Sequence, residues 1–434
     1  MTMHFRRVAL ACAFAALFAS PADAIDHAYT TNGATCDGWP RAPIEMAKGM
    51  CAGIVIAPPS NFAKREIRLP RLLLPPDGRS WLVTDLGGWG TARGAVFKLT
   101  AERGKAASLT KLLGNLHMSH GLARGPDGKI YVGEMSRIFR FDPSAANPKS
   151  TVESVVSGLP DNRLHENRHP LSYFIFDGNG DLLVNVGAPT DQCEVDGKPN
   201  GTEYCLESEG DEKTAGVRRY AYLGNGKWSS HFTMFGEGLR NSLALVRHAS
   251  GTILQAENSI DFKTANEPFE EINVLREGAH YGWPYCYDRA TPTPVWKGVK
   301  DCKSFEAPSR LLPPHTAPLG MLYYDGAMFP ALKGKLLMTW HGYRPTGARL
   351  VAFDVDDKGL PRLDPKARYD VYGGASVAYP ARGARALPLT VDWSKKPGLR
   401  PMGTPVGIAV ASDGAVWLTE DKNATVLRIA TDKP

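Results

Sequence analysis

Residues 165–169, His-Glu-Asn-Arg-His, have the H-E-x-x-H spacing. That spacing binds zinc when both histidines share one helical face and the glutamate serves as base. Here Leu159-Pro160-Asp161-Asn162 precedes the motif, Pro170 follows at once, and residues 171–176 read as strand. Little room is left for a helix, so the zinc-protease reading is set aside. Asp177-Gly178-Asn179-Gly180-Asp181 opens like an EF-hand calcium loop, but Leu182 stands where that loop needs glycine and Ala188 where it needs glutamate. It reads instead as a hairpin turn. No C-x-x-C or C-x-x-C-H spacing occurs, so neither a paired-cysteine metal site nor a covalent haem is expected.

Any site must be positioned by the element that recurs along the chain, a small polar turn containing glycine followed by a short apolar strand. It occurs at residues 77–86, 127–135, 178–187, 250–258, 333–340 and 413–421. Several copies are followed by a second strand ending in a basic or polar residue, at 94–100, 136–142, 348–355 and 424–430. Alternating Val, Ile, Leu, Tyr and Trp between glycine turns reads as β-hairpins. Six near-equivalent units without helical patterns predict an all-β chain closed as a six-bladed β-propeller rather than an array of sandwiches. The excess length falls in 188–216, 259–310 and 362–400, expected as long loops on one face, where function concentrates.

Arg6 and Arg7, the apolar residues 8–18 and Ala22-Asp23-Ala24 read as a secretory signal peptide over residues 1–24, with residues 25–434 as a single propeller domain. A lipoprotein anchor at Cys12 and a twin-arginine signal are weaker matches. No later stretch is long and apolar enough to span a bilayer, so a periplasmic or secreted protein is expected. Removing the leader leaves Cys36, Cys51, Cys193, Cys205, Cys286 and Cys302. Disulfides are expected in an oxidising compartment; pairing of neighbours is the simplest of many connectivities. Each such bridge closes a loop of about 15 residues and stabilises by roughly 3 kcal/mol. Basic and acidic residues are interspersed at a net charge of +6, with no basic run or aromatic-interleaved patch, which argues against nucleic acid.

Three stretches together resemble the glucose/sorbosone dehydrogenase family of soluble quinoproteins. They are HPLSYFIFDGNGDLLVNVGA (169–188), GEGLRNSLALVRHASGTILQAENSIDFKTANEPFEEINVLREGAHYGWPYC (236–286) and HTAPLGMLYYDGAMFPALKGKLLMTWHGYRPTGARLVAF (315–353). The ordered set of GLRN, HYGWP and HTAPLG carries most of the specificity, and residues 119–134 and 405–421 extend the likeness to neighbouring blades. The resemblance implies a periplasmic dehydrogenase that binds pyrroloquinoline quinone (PQQ) and calcium and oxidises an aldose or sorbosone-like sugar. Electrons would leave to a soluble or respiratory-chain acceptor.

On that resemblance, His169 is the base for the sugar hydroxyl, with His165 as its competitor. An imidazole suits that task near neutral pH. Arg240 matches the cofactor-binding arginine, since a guanidinium grips a carboxylate with two parallel hydrogen bonds. Asn241 supports it, and Arg344 and Arg349 are further carboxylate partners. Calcium, a Lewis acid toward a quinone oxygen, takes oxygen ligands. The aligned loop offers the carbonyls of Ser259 and Ile260, with Asp261, Glu270 and Glu271 nearby. The sequence departs from the family at Ser242, at Ser259-Ile260 and in Trp340-His341-Gly342-Tyr343-Arg344. Two other readings stay open: a calcium-dependent propeller hydrolase or lactonase using Asn185, Asn241 and Glu257, and a non-catalytic binding module.

Overall fold

In the computed structural model, which describes residues 29, 31–56, 64–75, 80–160, 168–342, 344–370, 376–391, 393 and 403–432, each of the six repeats forms the second strand of a four-stranded antiparallel blade. These second strands are Ser80–Asp85, Ile130–Glu134, Leu182–Val186, Ile253–Ala256, Leu336–Trp340 and Val416–Glu420. The first strands, Pro70–Leu74, Leu122–Arg124, Phe174–Phe176, Ala244–Arg247, Pro318–Tyr323 and Pro405–Val410, touch one another in sequence and close a ring. The expected six-bladed propeller is therefore what forms, and no α-helix occurs among the described residues.

The turns that open the repeats work as the sequence suggests. Asp127, Asp177 and Asp413 each accept the backbone N–H two residues on, at 3.1, 2.8 and 3.1 Å. The glycine after them takes a positive φ, +87° at Gly180 and +88° at Gly414, which only glycine adopts without strain. Asp177 is thus a turn residue and not a calcium ligand.

Second strands are buried on both sides because neighbouring blades pack face to face. Six clusters of the apolar core accordingly sit one at each blade interface. Trp81 of blade 1 stacks on Trp417 of blade 6 at 4.4 Å in one of them, and Leu183, Val217 and Leu245 join blades 3 and 4 in another. A seventh cluster, with Leu86, Met118, Leu171, Leu243, Leu319 and Val406, draws a residue from every blade.

Closure uses a strand that the repeat pattern does not announce. Met50–Ile56 pairs antiparallel with Thr425–Thr431 and becomes the outer strand of blade 6, so the two ends of the described chain meet. The cysteines pair as neighbours: Cys36–Cys51, Cys193–Cys205 and Cys286–Cys302. The first bridge pins the closing strand. No helix among the described residues is long and apolar enough to cross a membrane.

First strands begin, and second strands end, at one face of the ring. The long connections do not all lie on that face. Residues 188–215 and 257–269 join second to third strands and open there. Residues 275–309 and 354–386 join third to fourth strands and start at the opposite end. The segment after Val274 returns along the edge of blade 3, where Ala279–His280 pairs in parallel with Gly236 and Glu237.

The closing strand makes a testable claim. Ile54 is 4% exposed in the cluster between blades 5 and 6. Ile54→Ala is expected to lower unfolding stability by about 2–5 kcal/mol in urea titrations; a loss below about 0.5 kcal/mol would mean that this strand does not hold the ring shut.

Candidate active site

Four acidic strand ends show first what the site face is made of. Asp85 accepts from the backbone of Leu69 (2.6 Å), Glu134 from His117 (2.5 Å), Glu257 from Arg240 (2.6 Å) and Glu420 from Thr404 (2.9 Å). In these four blades the carboxylate at the end of the second strand ties down the backbone entering the first. These acids answer buried N–H groups and fix the geometry of the face.

His169 and Arg240 meet on that face, where blades 3 and 4 adjoin. The Nδ1–H of His169 donates to the carbonyl of Ala188 at 2.6 Å, and the Ala188 N–H donates to the carbonyl of Arg240 at 2.8 Å. A carbonyl only accepts, so the neutral ring carries its proton on Nδ1 and Nε2 keeps the basic lone pair. Burial, and then the Arg240 charge, hold the His169 pKa well below its ordinary value, so the ring is neutral at pH 7. Between His169 and Asn241 the chain allows no side chain. A Cβ on Gly187 would lie 2.5 Å from the His169 Cβ, 2.6 Å from its carbonyl oxygen and 3.4 Å from Asn241 Oδ1.

The Arg240 guanidinium is 3% exposed. Its Nη1 donates to the carbonyl of Asn258 at 2.9 Å, and its Nη2 lies 2.7 Å from Asp191 and 2.8 Å from Asp261. Its Nε is buried with no hydrogen-bond partner, as is the Oδ1 of Asn241. Asp191 comes from the long connection of blade 3. Trp283, in the HYGWP stretch, donates its indole N–H to the Asp191 carbonyl at 2.9 Å. Beside this contact Ala188, Ile260, Tyr285, Trp296 and the disulfides Cys193–Cys205 and Cys286–Cys302 form an apolar cap.

The remaining expected site residues lie elsewhere. Arg344 donates to the carbonyls of Thr264 (2.5 Å) and Phe262 (2.9 Å), so it and Arg240 grip one loop from two sides. Arg349 donates to the Pro345 carbonyl at 3.0 Å and faces Asp370 at 3.6 Å; neither contact involves Arg240. Of the expected calcium residues, Ser259 and Glu270 meet, but through the Ser259 N–H at 2.5 Å. The other oxygen of Glu270 accepts from the Ala317 N–H at 3.2 Å. Glu271, next along the strand, turns to the other face and accepts from Asn273. The Ile260 carbonyl accepts from the Phe262 N–H, and Asp261 is held by Arg240. These donors answer N–H groups and do not converge: among the described residues no three His, Cys, Asp or Glu side chains could hold a metal ion. Asn185 and Glu257, the alternative hydrolase ligands, hold the backbone N–H groups of Ser242 and Arg240. His165 lies outside the described residues.

Sequence reasoning missed Asp191 and the structural role of Trp283. It also missed a second buried polar chain across blades 5, 6, 1 and 2. There His341 Nε2 lies 3.0 Å from Asp421, Arg71 pairs with the same carboxylate, and Arg71 Nε donates to His120 Nδ1 at 3.1 Å.

Six blades closed in a ring, with His169 and the buried Arg240 linked through Ala188 on one face, define the class as a six-bladed β-propeller. The chain belongs to the glucose/sorbosone dehydrogenase family, whose profile matches residues 133–356. An uncharacterized protein of Borreliella burgdorferi is 30% identical over 205 residues, 45% of this chain and 48% of that protein. The chain thus spans about half the length of that curated relative. Among solved structures, the calcium structure of a Trichoderma reesei family AA12 enzyme shares 18% identity at a TM-score of 0.66, covering 93% of this chain and all of that one. The holo PQQ domain of Coprinopsis cinerea pyranose dehydrogenase shares 19% at 0.62, over 91% and 99%. The PQQ-bound aldose sugar dehydrogenase of Streptomyces coelicolor shares 15% at 0.53, over 89% and 100%. At these identities the structures establish a common fold.

The buried acids give the site a pH signature. Burial pushes the Glu257 carboxyl up to about 7 and that of Glu270 up to about 8, from an ordinary 4.5. The folded protein therefore binds these protons more tightly than the unfolded chain. Stability from them is full below pH 4.5 and is lost as pH rises through 7 and 8. His120 and His169, with lowered pKa values, act oppositely and only below about pH 6.5. Between about pH 6.5 and 8 the unfolding free energy is expected to fall, and Glu270→Gln to remove up to about 1.4 kcal/mol per pH unit of that slope, the weight of one proton. Equal slopes in the two proteins would place an ionised Glu270 in the fold.

Proposed function

We propose that the chain is a periplasmic PQQ-dependent sugar dehydrogenase acting on an aldose or a sorbosone-like substrate. One observation carries the reading: a neutral His169, held through Nδ1–H by the Ala188 carbonyl, is tied by the Ala188 N–H to the backbone of Arg240, whose buried guanidinium keeps an unpartnered N–H. Family membership supports it, as does the fold shared with proteins solved as PQQ-bound dehydrogenases. The three disulfides suit an oxidising compartment.

The cofactor fits the residues present. Arg240 would hold one of its carboxylates through Nε and Nη2, and Asn241 would lie beside it. PQQ, when bound, supplies the two-electron acceptor for the sugar carbon. His169 Nε2 takes the proton of the sugar hydroxyl as the C–H bond is broken, and the Ala188 carbonyl stabilises the imidazolium that results. The Nδ1–H bond also fixes the ring plane, so the base needs no reorientation. Asp191 and Trp283 hold Arg240 still. Electrons leave to a soluble or respiratory-chain acceptor. The donor set does not fit a calcium ion held by side chains, and no step is drawn through one.

The test is PQQ binding and dye reduction by the mature protein, with and without added calcium, across aldoses and dicarbonyl sugars. His169→Ala is expected to lower kcat roughly 100- to 10,000-fold while PQQ affinity stays within a few-fold. Arg240→Ala is expected to weaken PQQ binding about 10- to 100-fold, the value of a charge-assisted hydrogen bond. A wild-type protein that binds no PQQ overturns the reading.

A further inference from the structure

We infer that Asp261 is a resident carboxylate that occupies the ligand-gripping edge of Arg240 and swings aside when an external carboxylate binds. The inference rests on the proposed cofactor role of Arg240.

Two carboxylates share Arg240 Nη2, and they are held differently. Asp191 is built in: its side chain is 9% exposed, its carboxylate accepts the Asp261 N–H at 3.0 Å, and its carbonyl takes the Trp283 indole. The Asp261 side chain is 63% exposed. It is held by Arg240 at 2.8 Å and faces Arg168, itself 54% exposed, at 3.8 Å. A pair with one buried and one solvated partner can exchange the solvated one at little cost, because the leaving carboxylate is rehydrated and the guanidinium is paired again by the incoming group.

The edge being covered is the one a planar anion uses. Nε and Nη2 lie on the same side of a guanidinium and donate in parallel to two oxygens of a carboxylate. On Arg240 the Nε–H is unpartnered, and Nη2 carries Asp261. Moving Asp261 completes a two-point grip, whereas moving Asp191 would strip the arginine of its buried counter-charge.

The motion is a side-chain rotation and not a loop opening. Ile260, beside Asp261, is 1% exposed in the apolar cap. The Ser259 N–H is fixed by Glu270, the Asp261 N–H by Asp191, and the next carbonyls by Arg344 at 2.9 Å and 2.5 Å and by His315 at 2.8 Å. Displaced, the Asp261 carboxylate has Arg168 within reach. The same device sets specificity: a neutral ligand cannot replace Asp261, while a rigid polycarboxylate that fills both donors can.

The experiment is a titration of the full mature chain with PQQ, followed by tryptophan fluorescence or calorimetry, for wild type, Asp261→Asn, Asp261→Ala and Asp191→Asn. Both Asp261 variants are expected to bind about tenfold more tightly and Asp191→Asn more weakly, with thermal unfolding of the Asp261 variants unchanged. Binding by the Asp261 variants where wild type shows none also supports the inference. Wild-type binding with equal or weaker affinity in both Asp261 variants overturns it and leaves the cofactor reading standing. If no protein in the set binds PQQ, both fail.

Discussion

A guanidinium at 3% exposure must be paired, and the pairing of Arg240 organises everything around it. Its charge needs a buried counter-charge, which Asp191 supplies from the neighbouring blade. Asp191 must then be held without losing its own hydrogen bonds, which is what the Trp283 indole and the Asp261 N–H do. Trp283 in turn needs an apolar seat. The cap of Ile260, Tyr285 and Trp296, clasped by two disulfides, provides it. His169 stays neutral chiefly because it is buried, and the Arg240 charge adds to the effect.

The propeller makes that arrangement possible because its core is divided among blade interfaces. Each blade presents the start of its first strand and the end of its second to the same face, so residues far apart in sequence arrive side by side. The acidic strand ends lock these approaches: Asp85, Glu134, Glu257 and Glu420 each bind backbone N–H groups of their own blade. A face so constrained can hold a histidine and an arginine in fixed register while the connections above them vary.

The six second strands were legible because a small polar turn containing glycine followed by an apolar run is a local signal, readable in ten residues. The closing strand Met50–Ile56 was not, since nothing local distinguishes it from any other strand and its partner lies at the opposite end of the chain. In the candidate site, His169, Arg240 and Asn241 were named from their stretches; the structure places His169 and Asn241 around Gly187 and ties Arg240 to Ala188. Asp191 was invisible, because it sits in a connection that no repeat predicts. The acids at 270 and 271 looked like ligands because sequence gives residue type and not direction: adjacent strand residues point to opposite faces, and the oxygens of Glu270 answer backbone N–H groups. Arg344 was likewise named from its type alone, and its cationic head is engaged by loop carbonyls.

The polar chain on the far side of the ring shows the same logic, with the buried Nε2 of His120 as its own unpartnered atom. His341 and Arg71 outweigh the effect of burial and hold the Asp421 carboxyl well below the usual range, so it stays ionised. Against an ionised carboxylate His341 Nε2 must donate, and Arg71 can only donate, so His120 Nδ1 accepts and its proton sits on Nε2. Here every charge is answered by a buried partner from another blade, and Thr404 adds a further bond at 2.7 Å. Arg240 differs in one respect: one of its two carboxylates stands in solvent. Under the proposed exchange, that difference in the burial of a single carboxylate separates a cation that staples blades together from one that changes partners.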